Sequence, residues 1–459
     1  MPSTAVAQRG RRNRHVLQFA MAGGVARSVQ VVTGLMLVPL MLGALSNAEY
    51  GVWLTLQSML SLSVFADCGL GNSAMNAITA ARAKGEDETV NRIVSAAVVL
   101  LLATAITIVS VGCLAWPMLA NAGFFTSLPA DAADRVVAGV VIYAVYFAIL
   151  PAVSFIERVC LGFHDGAVNE VARAAAALLG LGATWATVRF TSSFAAICIA
   201  GLAPSVACWM AEWWYMKRRH SWLSIDLGAT DKTVVRSLLQ AGSVFFAIQT
   251  CAVLAFSLDS LLIFLVLGPE EVDQYGIPQR VFSLLLVGTS LVLTPLWPAY
   301  GEAVSHGDAA WIKATLHRST VLIAASATVL AVIVAVLLPT LLAVWVGSAI
   351  RVSPLMATGL AVLTVFQSIG YSFAVFWNGT GKLRPQLIVG ILLVACSLPA
   401  KLWVLRDVGL DWMPWVSALI YAVTTLVPAA VVTWRQACDY GSCPGSGPRP
   451  QMSGEPRGV

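Results

Sequence analysis

Charged side chains set inside long apolar runs are where this sequence could do chemistry. A charge in hydrocarbon is costly, so such residues face a water-filled cavity or a partner. Arg27 is the first of them. Gly23, Arg27, Gln30 and Gly34 follow at helical spacing and share one face. Trp53, Gln57 and Asp67 lie on roughly one side of the next run. Further on, Gln240, Ser243, Thr250 and Ser257 align, with Asp259 one step beyond. Tyr275, Gln279, Ser283, Ser290 and Thr294 form another stripe beside Arg280, and Gln367, Tyr371 and Asn378 a third. The Ser, Thr and Gln of such stripes serve equally well to pack helix on helix. For Arg27 and Arg280, away from obvious helix ends, a cavity role is the better reading. Glu170 and Arg173 are three apart on one run and can neutralise each other. Glu157, Arg158 and Glu212 sit near the ends of their runs and read as interfacial.

One local pattern has its own chemistry. In Asp67-Cys68-Gly69-Leu70-Gly71-Asn72 two glycines loosen a helix, and Asp67 and Asn72 offer oxygen ligands. A helix broken beside a cavity can bind a cation or a sugar. A simple bend at the end of the run explains the residues as well. Pro298 between Trp297 and Tyr300 marks a similar kink with interfacial aromatics.

The elements that must position these residues are transmembrane helices. The chain has 459 residues, 58% hydrophobic and only 11% charged. Soluble domains carry about a quarter charged residues, so lipid has to be the main solvent here. Runs of about 20 apolar residues each give about twelve spans between Val16 and Trp434. The run from Val16 to Leu42 is too long for the core of a signal peptide and reads as a retained first helix. Most of the 9 cysteines lie in apolar runs as small hydrophobes. No spacing of Cys and His makes a metal site, and no motif calls for a cofactor or for nucleic acid.

Lys and Arg concentrate in alternate loops: the N-terminal arm, then around Arg82, Arg158, Lys217 to Arg219, Lys313, Lys382 and Arg435. Arg135, Arg189, Arg351 and Arg406, with Lys401 close by, are the sparse charges of the opposite side. The bias places both termini in the cytoplasm. A weak repeat divides the chain. Tyr50-Gly51 and Lys84-Gly85-Glu86 in the first half recur as Tyr275-Gly276 and His306-Gly307-Asp308. Six spans per half then makes two like-oriented bundles related by a pseudo-two-fold axis along the membrane normal. The expected organisation is a basic cytoplasmic arm at 1–15, bundles at 16–216 and 237–437, a cytoplasmic linker at 217–236 and a disordered tail at 438–459.

These motifs resemble one known family. Glu49 to Trp53 (E-Y-G-V-W) and Asp67 to Asn72 (D-C-G-L-G-N) carry the likeness in the first half. Leu258 to Ile263 (L-D-S-L-L-I), Leu267 to Gly276 (L-G-P-E-E-V-D-Q-Y-G), and Pro295 to Ala303 (P-L-W-P-A-Y-G-E-A) with His306 to Asp308 carry it in the second. They are similar to the Wzx-type polysaccharide transporter family of the multidrug/oligosaccharidyl-lipid/polysaccharide exporter superfamily. The resemblance implies a MATE-like fold and a multi-pass flippase of the bacterial inner membrane. Such a protein moves a polyprenyl-diphosphate-linked glycan by alternating access for O-antigen, capsule or exopolysaccharide assembly, beside a polysaccharide polymerase machinery. The implied site is a cationic cavity, since arginine forks pair with phosphate. Arg27, Arg173 and Arg280, with Gln30, Gln57, Gln279 and Tyr371, are its expected lining. Asp67, Asn72 and Asp259 are the expected ion-coupling or gating residues, for H+ or Na+. Ser260 departs from the family pattern, in which a basic residue follows the aspartate.

Rival functions remain open on sequence. A cation-coupled small-molecule or drug antiporter of the same superfamily would use Asp67 and Asp259 as ion sites, but the central charges lean towards arginine. A lipid II flippase shares the mechanism. A membrane glycan polymerase or ligase should need a sizeable outer loop, and the longest here, about residues 116–136, is short and alanine-rich. A passive scaffold does not account for polar stripes in both halves.

Overall fold

A chain in hydrocarbon must satisfy its backbone groups internally, and a helix does so within one run. The computed structural model describes residues 2–60, 63, 65–121, 130–226, 228, 231–345 and 352–442. Among these residues there is no strand, and eleven helices or helix pairs are long and apolar enough to span a membrane. The expected all-helical membrane class is the observed one. Apolar side chains point outward in quantity, with Leu114 78% and Val336 72% exposed, as lipid-facing surfaces require.

Two compact units divide the chain, 1–250 and 251–459. The first holds α1 (Pro2–Ala44), α2 (Asn47–Leu60), α3 (Leu70–Lys84), α4 (Asp87–Asn121), α5 (Ala130–Gly162), α6 (Gly166–Phe190), α7 (Phe194–Arg219) and most of α8 (Lys232–Phe256). The second holds α9 (Asp259–Leu267), α10 (Pro269–Leu293), α11 (Leu296–Ser305), α12 (Ala309–Trp345), α13 (Pro354–Thr380), α14 (Leu383–Asp407), α15 (Met413–Tyr421) and α16 (Val427–Ser442). The division falls inside α8, well past the linker expected at 217–236. The arm expected at 1–15 is helical from Pro2 and continuous with the first span. Of the tail expected from 438, Cys438 to Ser442 belong to α16, and 443–459 lie outside the described residues, as do 122–129 of the longest outer loop.

The second expected span, 47–68, is not one helix. α2 ends at Leu60, and a tight turn ending at Gly69 leads into α3; residues 61, 62 and 64 lie outside the described ones. The turn is built by the Asp67 to Asn72 motif. Cys68 and Gly69 both take positive φ, 49° and 73°. Asp67 Oδ1 accepts the backbone N–H of Gly69 at 2.9 Å and so locks the corner. A side chain on Gly69 would overlap the carbonyl oxygen of Gly242, because α3 enters directly against α8. In this structure the motif is a packed corner.

The repeat is visible in local hydrogen bonding. After α3, Gly85 takes φ 74°, its N–H bonds Arg82 O at 3.0 Å, and the N–H of Glu86 bonds Ala81 O at 3.0 Å. After α11, Gly307 takes φ 67°, its N–H bonds Val304 O at 3.0 Å, and the N–H of Asp308 bonds Ala303 O at 2.9 Å. Both are the same glycine-terminated helix end, followed by an acidic residue, Glu86 or Asp308, and then at once by a long helix. The counterpart of the α2–α3 corner is the bend at Thr294-Pro295 between α10 and α11.

Candidate functional site

In the first unit, α1 packs on α6, α6 on α7 and α5 on α7. Three alanines on α6, Ala172, Ala176 and Ala177, keep this junction from filling, and a cavity of about 200 Å3 remains. Its polar lining is Gln30 from α1, Glu157 from α5, Arg173 from α6, and Ser205, Cys208, Trp209 and Glu212 from α7. The α7 residues are spaced 3, 1 and 3 apart and therefore share one face.

Arg173 is the hub. Its Nη2 lies 2.6 Å from Glu157 Oε2, and its Nη1 lies 3.2 Å from Glu170 Oε1. Trp209 Nε1 donates to Glu157 Oε1 at 2.9 Å. Glu212 is 3% exposed, and neither of its carboxylate oxygens has a hydrogen-bond partner among the described residues. The cavity thus presents a guanidinium bound by two carboxylates, with a third carboxylate left over. Arg27 is exposed on α1; it donates to Gln30 Oε1 at 3.1 Å and has no carboxylate within ion-pair distance among the described residues.

The sequence-expected residues fall in separate places. Gln30 and Arg173 meet at this cavity, and Arg27 adjoins it through Gln30. Arg173 is held there by two carboxylates, and Arg27 is not among the residues that line the cavity. Gln57 is half-buried on α2. Asp67 holds the corner before α3, and Asn72 is buried in α3 with its Oδ1 unpartnered. In the second unit Gln279 is half-buried and Arg280 exposed on α10, and Arg280 has no ion-pair partner among the described residues. Tyr371 Oη lies 3.4 Å from Thr294 Oγ1. Asp259 is buried against Lys401, Nζ to Oδ1 2.6 Å.

Three placements correct the sequence reading. Glu212 is buried and Glu157 half-buried around the cavity, whereas their nearness to run ends suggested the interface. Lys401, grouped with the outer-side charges, is 2% exposed inside α14. The missed cavity residues had a signal in the sequence: Ser205, Cys208, Trp209 and Glu212 repeat as one helical face. The partner of Lys401 had none.

In its arrangement of helices and its two units the fold is similar to that of solved MOP-superfamily structures. The structure matches an outward-facing multidrug-resistance MATE family transporter of that superfamily with a TM-score of 0.76, 13% identity, and 94% of this chain covering 97% of that one. A MATE structure in the bent conformation matches at 0.78 and 13%, covering 94% and 96%. A MOP-superfamily transporter from Pyrococcus furiosus, for which a reverse polarity of the binding pocket is said to suggest a different function, matches at 0.76 and 15%, covering 94% and 97%. At these identities the likeness is one of fold. No curated protein matches the sequence. The family described as polysaccharide biosynthesis protein matches residues 19–302, more than half the chain, and the chain belongs to that family.

Proposed function

We propose that the protein is a flippase that carries a polyprenyl-diphosphate-linked oligosaccharide across the bacterial inner membrane by alternating access, with both termini in the cytoplasm. It would supply O-antigen, capsule or exopolysaccharide assembly and deliver to a polymerase machinery. The observation that carries this reading is an arginine well inside a span of each unit with no ion pair among the described residues, Arg27 on α1 and Arg280 on α10. A diphosphate needs cationic partners, and Arg27 and Arg280 are less occupied for that than Arg173, which two carboxylates already hold. Family membership supplies the glycan side of the reading.

The test is purified protein in liposomes that carry a polyprenyl-diphosphate oligosaccharide in one leaflet. A glycan oxidant outside the vesicles reads how much lipid-linked glycan is accessible. Protein-dependent equilibration between leaflets is expected. One observation favours a second reading, a cation-coupled antiporter: the unpartnered Glu212 carboxylate in an acid-rich cavity. Gradient-driven movement of organic cations, with no movement of lipid-linked glycan, would replace the flippase by that reading.

A further inference from the structure

The seventh span is broken without a glycine or proline to break it. α8 ends at Phe256 and α9 begins at Asp259, across Ser257 and Leu258. Kinks have identifiable causes, and where the local sequence supplies none, a side chain inserted into the ladder is the next to seek. Lys401 is that side chain. Its Nζ donates to Ala255 O at the end of α8 at 2.6 Å and to Asp259 Oδ1 at the start of α9 at 2.6 Å. The other carboxylate oxygen accepts from Tyr275 Oη at 3.2 Å. Lys401, Asp259 and Tyr275 are 2%, 3% and 0% exposed.

The oxygens around that nitrogen are those that bind cations in broken membrane helices. A half-helix end presents carbonyls at the negative pole of its dipole. An adjoining carboxylate adds a full charge, and unwound segments of this kind coordinate monovalent cations. We infer that the break in the seventh span is an ammonium-type cation site, which the protein fills from within by the tethered Lys401 Nζ. Asp259 is thereby already supplied with its cation, and a dissolved coupling ion is not needed at this break. The inference stands apart from the flippase reading, since its test uses no glycan.

The test is thermal melting of the purified full chain in detergent. Lys401→Ala empties the site and should melt lower than wild type. Methylammonium chloride should then raise its melting temperature by about 3 °C or more over choline chloride at equal ionic strength. Wild type, with the site filled, and Lys401→Ala/Asp259→Asn, with the carboxylate gone, should show no such gain. No gain from methylammonium in Lys401→Ala, or an equal gain in wild type or the double variant, overturns the inference. If Lys401→Ala yields no folded protein, Lys401→Gln carries the test. Lys401→Gln/Asp259→Asn should then melt above Lys401→Gln, because no buried carboxylate is left uncompensated. A double variant that melts no higher overturns the inference.

Discussion

Glu212 and Glu157 lie in one cavity and should answer mutation in opposite directions. Glu157 accepts from both Arg173 and Trp209, so Glu157→Gln takes away the shorter of the two ion pairs of Arg173. A loss of about 1–3 kcal/mol is expected, read as a lower melting temperature in detergent. Glu212 has no hydrogen-bond partner for either oxygen among the described residues, and a buried unpartnered carboxylate is a cost to the fold. Glu212→Gln should therefore leave the melting temperature unchanged or raise it. A large drop would show that the carboxylate is held by something the cavity geometry does not contain. The sequence revealed Arg173 and its near neighbour Glu170, because three residues on a helix bring them together. It did not reveal Glu157 as a partner of Arg173, because that pairing crosses from α5 to α6.

Hydropathy made the spans legible, and the paired Gly-acid turns made the repeat legible, since both are written in local sequence. The corner between α2 and α3 was only half legible. The glycines of Asp67 to Asn72 marked a break, but its sharpness depends on α8 lying against Gly69. Gly69→Ala should cost about 1–3 kcal/mol from the left-handed backbone alone, and more from the overlap with Gly242. Gly34→Ala, where a Cβ would meet nothing within 4 Å, is the neutral comparison in the same melting assay. The Lys401–Asp259 pair was not legible at all, because 142 residues separate its members and only the packing of α14 on α9 joins them.

The connection between α7 and α8 adds a pH dependence at the level of the element. Burial holds His220 below its ordinary value, and the positive charge of Arg82 pushes it the same way. Its ring lies 4.6 Å from that of Phe163 and 6.0 Å from that of Trp222. A folded state that favours neutral histidine binds fewer protons than the unfolded one, so stability rises with pH through this range. The contribution is present above the ordinary histidine value of about 6.5 and is lost as pH falls below it. Hydrogen exchange at residues 217–226 should accelerate as pH is lowered from 7.5 to 5.5, after correction for intrinsic rates. His220→Phe should flatten that dependence, and an unchanged slope would remove His220 as its source.

At the scale of the whole molecule, the fold is that of MOP-superfamily transporters and the family is that of polysaccharide biosynthesis proteins. Arg27 on α1 and Arg280 on α10 lie well inside spans, one in each unit, with no ion pair among the described residues. Under the proposed function, an arginine inside a span, Arg27 in one unit or Arg280 in the other, is a partner for the diphosphate of a lipid-linked glycan. The measurement that tests it most directly is the initial rate of transbilayer movement of a polyprenyl-diphosphate oligosaccharide in proteoliposomes, for wild type, Arg27→Gln and Arg280→Gln. The rate should fall by about 10- to 100-fold in each variant, the value of one or two charge-assisted hydrogen bonds, while melting temperatures stay near wild type. Wild-type rates in both variants, or no movement of the lipid-linked glycan by the wild-type protein, would contradict the account.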